Sequence, residues 1–512
     1  MVRSATVVKL SLLFLIAACA SKGGGPAVGP GAAGDNGSGA GVSGGTAGGA
    51  GTVATTGGAG DSSSTGSGGA AGSGSVAGSS GTAGVTGGPT TGAAGVGAAG
   101  AGAAGTTGVV TPKMGSLKFT RKDLHRLNLA EAVAVADFNK DGALDVLSGP
   151  FWWEGPAFDK MHQLNMGDPM LAPFCTPATA SACNCYTCMS LGDWADYAYD
   201  VDGDGWVDAI EVTRPSFPSN WYKNPGTPTV NTDTIWTKHE IGTMYWEQSM
   251  FVDIAGTGKP GLVTVEPTGN FGWFEPSAAS PWPFHVIAGG AGTYIWEHGL
   301  GAGLNVTPGT GMNFIMRTGW FTPPAGGPMS GPWTKHTYDF SNDGQIPGGS
   351  HLLTYDVNGD GMLDVLASPE AHGYGLNWFE QKAGGTFVKH VLVGGVGTMM
   401  TNVGGIASFS QAHVLQNADV DGDGLKDMIT GKVFFAHPPG VDPGAADTPV
   451  FYVFKLIRNP AMPGGATYEP HLIDTEVGLG KGGPVVADLN GDGLMDIVSA
   501  SKKGVFIFFQ QP

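Results

Sequence analysis

From about Lys118 to Gln511 the chain is a succession of short apolar runs separated by acidic, glycine-rich turns, and the same order of runs keeps returning. An apolar run such as Ala132-Val-Ala-Val-Ala136 leads into an acidic loop, and a second, Leu144-Asp-Val-Leu147, leaves it. The third run is aromatic: Phe151-Trp-Trp153, Trp221-Tyr222, Trp273-Phe274, Trp320-Phe321, Trp378-Phe379 and Phe451-Tyr452. The fourth sets a histidine among apolar positions, at His162, His239, His285, His336, His390 and His471. Runs this short, bounded by turn residues, predict strands. Four strands to a unit and seven units predict an all-β fold, a seven-bladed β-propeller with four-stranded blades. The six recurrent histidines read as framework, packed or hydrogen-bonded within that repeat.

The loop between the first and second runs is the most regular part of the pattern. Asp200-Val-Asp202-Gly-Asp204-Gly205-Trp-Val-Asp208 places carboxylates at positions 1, 3, 5 and 9 and glycine at position 6. Short acidic side chains converging on one point, with a glycine to allow the sharp turn, are how hard oxygen ligands are gathered around Ca²⁺. The loop resembles the first half of an EF-hand, but the residues around it read as strand. Four siblings are intact: Asp137, Asn139, Asp141 and Asp145; Asp356, Asn358, Asp360 and Asp364; Asp419, Asp421, Asp423 and Asp427; and Asp488, Asn490, Asp492 and Asp496. Two copies are degenerate. The one at Asp253 keeps the first aspartate and the glycine Gly258, and the one from Asn305 to Asn313 has no carboxylate, so no ion is expected at either. The seven loops start 51 to 69 residues apart, the period of a radial β array. The last leaves room for about two strands after it. Phe119-Thr-Arg-Lys-Asp-Leu124 matches Trp236-Thr-Lys-His-Glu-Ile241, a fourth-run motif, so the start of the domain is expected to complete the last blade.

Upstream of residue 113 the pattern disappears. Residues 1–19 read as a lipoprotein signal peptide: Arg3 and Lys9 lie before and at the edge of an apolar run, Leu10 to Ala18, too short to span a bilayer. Leu15-Ile16-Ala17-Ala18-Cys19 resembles a bacterial lipobox, which makes Cys19 the lipidation candidate and an outer-membrane lipoprotein, periplasmic or surface-exposed, the expected destination; an ordinary secretory signal is the alternative. Residues 20–112 are almost wholly Gly, Ala, Ser, Thr and Val, unable to offset chain entropy by burial, and predict a disordered tether with a span on the order of 50 Å. Residues 113–512 form the propeller domain.

Charge belongs mostly to the loops. The chain carries 43 acids against 25 bases, a formal charge of −18. The five intact loops hold 17 of those acids, so about five bound Ca²⁺ would bring the charge to about −8. Nothing basic enough for nucleic acid is present, and no nucleophile elbow, zincin helix or P-loop occurs. Beyond Cys19, the cysteines Cys175, Cys183, Cys185 and Cys188 lie in one insert and are disulfide candidates, with Zn²⁺ binding by the CxxC pair as the alternative.

Five other histidines, His298, His351, His372, His413 and His437, fall in connections between runs. Since the acidic loops join strands one and two, the fourth-to-first and second-to-third connections share the opposite face. First strands line a propeller's channel. Six residues before a loop stand Glu131, Glu247 and His413; His351 lies five before and His298 seven before. Glu247, His298, His351 and His413 are therefore expected to form one polar site at the channel mouth, catalytic or holding an additional metal ion, with His372, His437, Arg317 and Lys432 available from the second-to-third connections. Ordinary polar residues at a wet channel mouth are the alternative.

The repeats resemble the FG-GAP/VCBS family, the calcium-looped propellers of which integrin alpha chains are the best-known relatives. The segments Ala371-His-Gly-Tyr-Gly-Leu-Asn-Trp-Phe-Glu380 and Asp427-Met-Ile-Thr-Gly-Lys432 resemble a bacterial subgroup of lipoproteins and secreted proteins, similar in turn to the propeller of aldos-2-ulose dehydratases. The resemblance implies a lipid-anchored, surface-displayed, calcium-binding propeller that recognises a glycan or a surface protein, expected as a monomer that touches the membrane through its anchor alone. The competing reading is an extracytoplasmic carbohydrate lyase or dehydratase with its site opposite the calcium loops, since propellers host both binding and catalysis.

Overall fold

The computed structural model describes residues 113–165, 193–227, 230, 234–290, 298–341, 349, 351–394, 408–434, 436 and 442–512. Cys19, Cys175, Cys183, Cys185, Cys188 and His437, with the signal peptide and tether, lie outside them. Seven four-stranded antiparallel sheets follow one another along the chain, each a blade. The chain is a seven-bladed β-propeller.

In blades 1 to 6 the four strands are consecutive; blade 2, for example, runs Asp193–Tyr199, Asp208–Thr213, Pro218–Lys223 and Thr237–Thr243. In the last sheet, Val485–Ala487, Asp496–Ser501 and Gly504–Gln510 are joined at the outside by Phe119–His125, which pairs with Gly504–Gln510 in antiparallel register from Phe119 opposite Gln510 to His125 opposite Val505.

The apolar runs explain how the blades cohere. Each blade packs both faces against its neighbours, so the inner strands are largely buried: Val485 and the runs Asp145–Ser148, Asp427–Gly431 and Asp496–Ser501 have no exposed position. The buried side chains fall into seven clusters, one at each blade junction, including Val133, Val146 and Trp153 of blade 1 against Val485, Val498 and Ile507 of blade 7. Burying side chains of this size stabilises by roughly 1.5–3 kcal/mol each before chain entropy is counted.

The recurrent histidines belong to this framework. In blades 1 to 5 each lies opposite the tryptophan of the third strand and packs on it, stacked as His162 on Trp152 at 4.4 Å and His239 on Trp221 at 4.3 Å between ring centroids, and tilted in blade 3. In blade 6 Val453 takes the tryptophan's place opposite His471.

Candidate functional site

The acidic loops and the connections opposite them are built by different rules. In each intact loop the first aspartate turns back onto the loop's own backbone: Asp200 Oδ1 accepts the N–H of Asp204 at 3.1 Å and Oδ2 that of Gly205 at 2.8 Å. Asp253 of the degenerate third loop keeps this turn with Thr257 and Gly258. Asp200, Asp202 and Asp204 bring one oxygen each within 4.8 Å of one another, and so do Asp419, Asp421 and Asp423. Asn139, Asn358 and Asn490 hold the third position of the other loops, where a side-chain carbonyl can serve as an oxygen donor beside Asp137 and Asp141, Asp356 and Asp360, or Asp488 and Asp492. An all-oxygen donor set of this kind fits a hard cation such as Ca²⁺.

The ninth aspartate has a second task. Asp145, Asp208, Asp364, Asp427 and Asp496 are wholly buried. One oxygen accepts the N–H of loop position 2 and the other an N–H in or just after the third strand, as Asp208 does from Val201 at 2.9 Å and Asn224 at 2.8 Å. The same pair of bonds ties Asp145 to Phe138 and Gly155, Asp364 to Val357 and Gln381, Asp427 to Val420 and Leu456, and Asp496 to Leu489 and Gln510. Each of these carboxylates therefore staples the loop to two strands. Burial pushes their pKa values up, to about 7 for Asp208, against the pull of the backbone donors. In the fourth loop Asn313 Oδ1 accepts instead from Thr307, at loop position 3, at 2.8 Å.

On the other face the connections converge. Glu247, His298, His372 and His413 each offer one ligating atom, all within 4.8 Å of one another, and all four side chains are buried. The three imidazoles meet edge to face, with ring centroids 4.8 Å apart for His298 and His372, 5.2 Å for His298 and His413, and 4.5 Å for His372 and His413. Glu247 Oε2 closes on His298 Nε2. Glu247 Oε1 accepts a bond from Lys481 Nζ at 2.8 Å, and that ammonium lies 3.8 Å above the Trp194 ring. His413 Nε2 and His298 Nδ1 are buried without a hydrogen-bond partner among the described residues.

Electrostatics keep the set ready for a cation. Burial opposes the charge on Glu247, but Lys481, His298 and His413 outweigh it and hold its pKa well below the ordinary value. Burial, reinforced by His372, His298 and Lys481, drives the His413 pKa well below its ordinary value, so the imidazole is neutral and its lone pair available. Three imidazoles and a carboxylate are a donor set suited to Zn²⁺ or another first-row transition ion.

Of the four residues expected to meet here, Glu247, His298 and His413 do. His351 stays beside them outside the donor set: its backbone N–H donates to the His413 carbonyl at 3.1 Å, and burial with nearby His298 lowers its pKa to about 3. His372, from the second-to-third connection of blade 5, supplies the fourth donor instead, and its Nδ1 lies 3.4 Å from Asp442 Oδ2. A carboxylate hydrogen-bonded to one ring nitrogen fixes the orientation of a ligating imidazole. Lys432 lies in the next blade, fully buried, donating to the Gly444 carbonyl at 2.5 Å and to Ser410 Oγ at 3.2 Å. Burial lowers its pKa to about 8, against the charges of Asp447 and Asp442. Arg317 is half-buried in the corresponding turn of blade 4. Glu131 is buried with Lys502 Nζ at 3.6 Å.

Lys481 escaped the sequence reading although its signal was available. It stands seven residues before Asp488, the offset that His298 has before Asn305. Its neighbour Gly482 donates to the Glu131 carbonyl at 2.9 Å, and a Cβ on Gly482 would fall 2.4 Å from that of Ala132. Glycine lets blade 7 approach blade 1 closely enough to bring Lys481 over the channel.

No family model matches the chain, and no curated protein matches it. Among solved structures it is similar to an Agrocybe aegerita lectin described as recognising non-reducing terminal N-acetylglucosamine, at 16% identity over 62% of this chain and 79% of that one, with a TM-score of 0.37. It is also similar to BBS1N in complex with ARL6DN, soaked with lead, at 9% identity over 78% of this chain and 97% of that one, with a TM-score of 0.43. The mercury-soaked form of that complex gives 10% identity, 77% and 96% coverage and a TM-score of 0.39. These likenesses are distant, and the blade count rests on the sheet topology itself.

Proposed function

We propose that this propeller binds a divalent transition-metal ion at its channel mouth and uses that site to hold a carbohydrate. The observation that carries the reading is the convergence of Glu247, His298, His372 and His413 within 4.8 Å in a buried setting. Four such donors are expensive to bury together unless a cation binds them. A sugar's hydroxyl or carboxylate oxygens are ligands of the kind that a partly open metal site accepts. The acidic loops on the other face are read as structural Ca²⁺ sites, and Cys19 as the lipid acceptor that displays the domain from a membrane surface, where a glycan or surface protein would be met. A Cys19→Ala variant should then leave the membrane fraction.

Catalysis, as a lyase or dehydratase, is the second reading. It is favoured by Lys432, a buried amine with a pKa lowered to about 8, linked to the donor set through Asp442 and His372. Such a group can exchange a proton near neutral pH.

Elemental analysis of the purified protein tests the metal reading: about one transition-metal ion per chain is expected, lost in His298→Ala. A protein that takes up no such ion from Zn²⁺, Mn²⁺, Fe²⁺ or Ni²⁺ would falsify it. Screening neutral sugars and uronates for metal-dependent binding, and for an unsaturated product, then separates recognition from catalysis.

A further inference from the structure

The third strand of each blade carries one residue directly beside its acidic loop, a step beyond the last paired position. In blade 2 this is Lys223, following the Ala209–Tyr222 pair, and in blade 6 it is Lys455, following Met428–Phe454. Lys223 Nζ binds Asp202 and, at 2.8 Å, Asp204. Lys455 Nζ binds Asp421 and, at 3.0 Å, Asp423. These carboxylates belong to the two triads whose oxygens converge within 4.8 Å.

The other three intact loops differ at both places together. Their third position is Asn139, Asn358 or Asn490, and the third-strand residue is Glu154, Glu380 or Phe509. Asn358 Nδ2 donates to Glu380 Oε1 at 2.9 Å, while Glu154 turns to Lys160 and His162, each at 2.8 Å. An aspartate at position 3 always comes with the lysine, and an asparagine never does.

We infer that Lys223 and Lys455 are built-in counter-cations that divide the acidic loops into two classes. In blades 2 and 6 the ammonium neutralises the extra carboxylate, keeps the loop formed without calcium and competes with the ion for the same oxygens. In blades 1, 5 and 7 no cationic side chain among the described residues is bonded to the loop carboxylates, since Lys113 reaches only the Asp492 carbonyl and Arg458 only the Asp356 and Val357 carbonyls, so calcium binds more tightly and the loop depends on it. The inference rests on the calcium reading proposed above and adds to it an order of affinities. At a separation of a few ångströms, repulsion between an ammonium and Ca²⁺ in a partly solvated loop is worth roughly one power of ten in affinity.

The test is calorimetric titration of calcium into the calcium-depleted full chain. Wild type should show three tight and two weak sites. In Lys223→Met/Lys455→Met the two weak sites should tighten at least about tenfold, and the melting temperature in chelator should fall below that of wild type. The exchange Asn358→Asp/Glu380→Lys, which gives blade 5 the lysine pattern, should move one tight site into the weak class, and it decides the matter alone if the lysine variants do not fold. Identical calcium isotherms for wild type and these variants overturn the inference while leaving the calcium reading standing. A wild type that binds no calcium overturns both.

Discussion

On the face that carries the acidic loops, one nine-residue pattern is written five times, with the acids of positions 1, 5 and 9 unchanged and only position 3 alternating between Asp and Asn. On the opposite face, the positions five to seven residues before those loops hold Glu131, Asp193, Glu247, His298, His351, His413 and Lys481, one to a blade and hardly two alike in neighbouring chemistry. The first face solves the same local problem in every blade, the turn from first strand to second, and repetition is the natural result. The second face brings seven blades to one axis, where each side chain meets different partners. Equivalent positions can there be given unequal tasks: imidazoles from blades 4 and 6 meet the Glu247 carboxylate, while Lys481 from blade 7 balances its charge. Repetition marks framework, and departure from repetition marks the site.

That contrast can be broken most forcefully by removing calcium. If the loops are structural ion sites, chelation should lower the melting temperature, since each site loses about 2.7 kcal/mol of stabilisation when calcium stood a hundredfold above its Kd. Unchanged melting in chelator would place the stabilisation entirely in the backbone staples. The staples themselves come next. Asp208→Ala strands two buried N–H groups and should cost about 3 kcal/mol by denaturant titration with or without calcium. Asp204→Ala, at an exposed ligand position, should weaken one calcium site and change the chelated protein by less than about 1 kcal/mol. Equal losses for the two variants would erase the distinction between staple and ligand.

On the opposite face, His413→Ala should weaken transition-metal binding by about a hundredfold or more and leave the calcium stoichiometry untouched. Loss of both together would mean that the two faces are not independent. The smallest effect concerns Asp196, buried on the first strand of blade 2, where burial and then Glu211 raise its pKa from 3.8 to about 8 against the Gly149 N–H. The folded chain thus keeps a proton that the unfolded chain releases, so stability present below about pH 4 is lost progressively as pH rises to about 8. Asp193 and Glu211 face the same group, so Asp196→Asn should narrow, without abolishing, the gap between melting temperatures at pH 5 and pH 8. A gap as wide as in wild type would locate the titration elsewhere.

Most of the framework was legible in the sequence because it is periodic. Apolar runs such as Ala132–Ala136, aromatic runs such as Phe151–Trp153 and the loop spacing each repeat, and repetition separates signal from chance. The channel mouth was legible only as far as it could be counted from the loops. Counting back from the loops reached Glu247, His298 and His413, since the first strand carries that register rigidly to the axis. The same counting set His351 among them, but in the fold its backbone N–H is tied to the His413 carbonyl and it stays outside the donor set. His372 follows the second strand of its blade, across a connection whose length differs between blades, so no fixed offset reaches it. Lys481 needed the seven-residue offset. The staple role of the ninth aspartate was hidden for another reason: a carboxylate that binds an ion and one that binds backbone N–H groups occupy the same letter of the same motif.

The seven apolar seams between blades carry a dynamic consequence. A blade in an open array could fray from an end, exposing its amides one sheet at a time. Here the seam formed by Val133, Val146, Val485 and Ile507 joins the last blade to the first, so every blade is clamped on two sides. No blade is terminal, and releasing any one requires two seams to part at once. Inner-strand amides of all seven blades should therefore exchange with solvent at nearly one slow rate, set by opening of the whole ring.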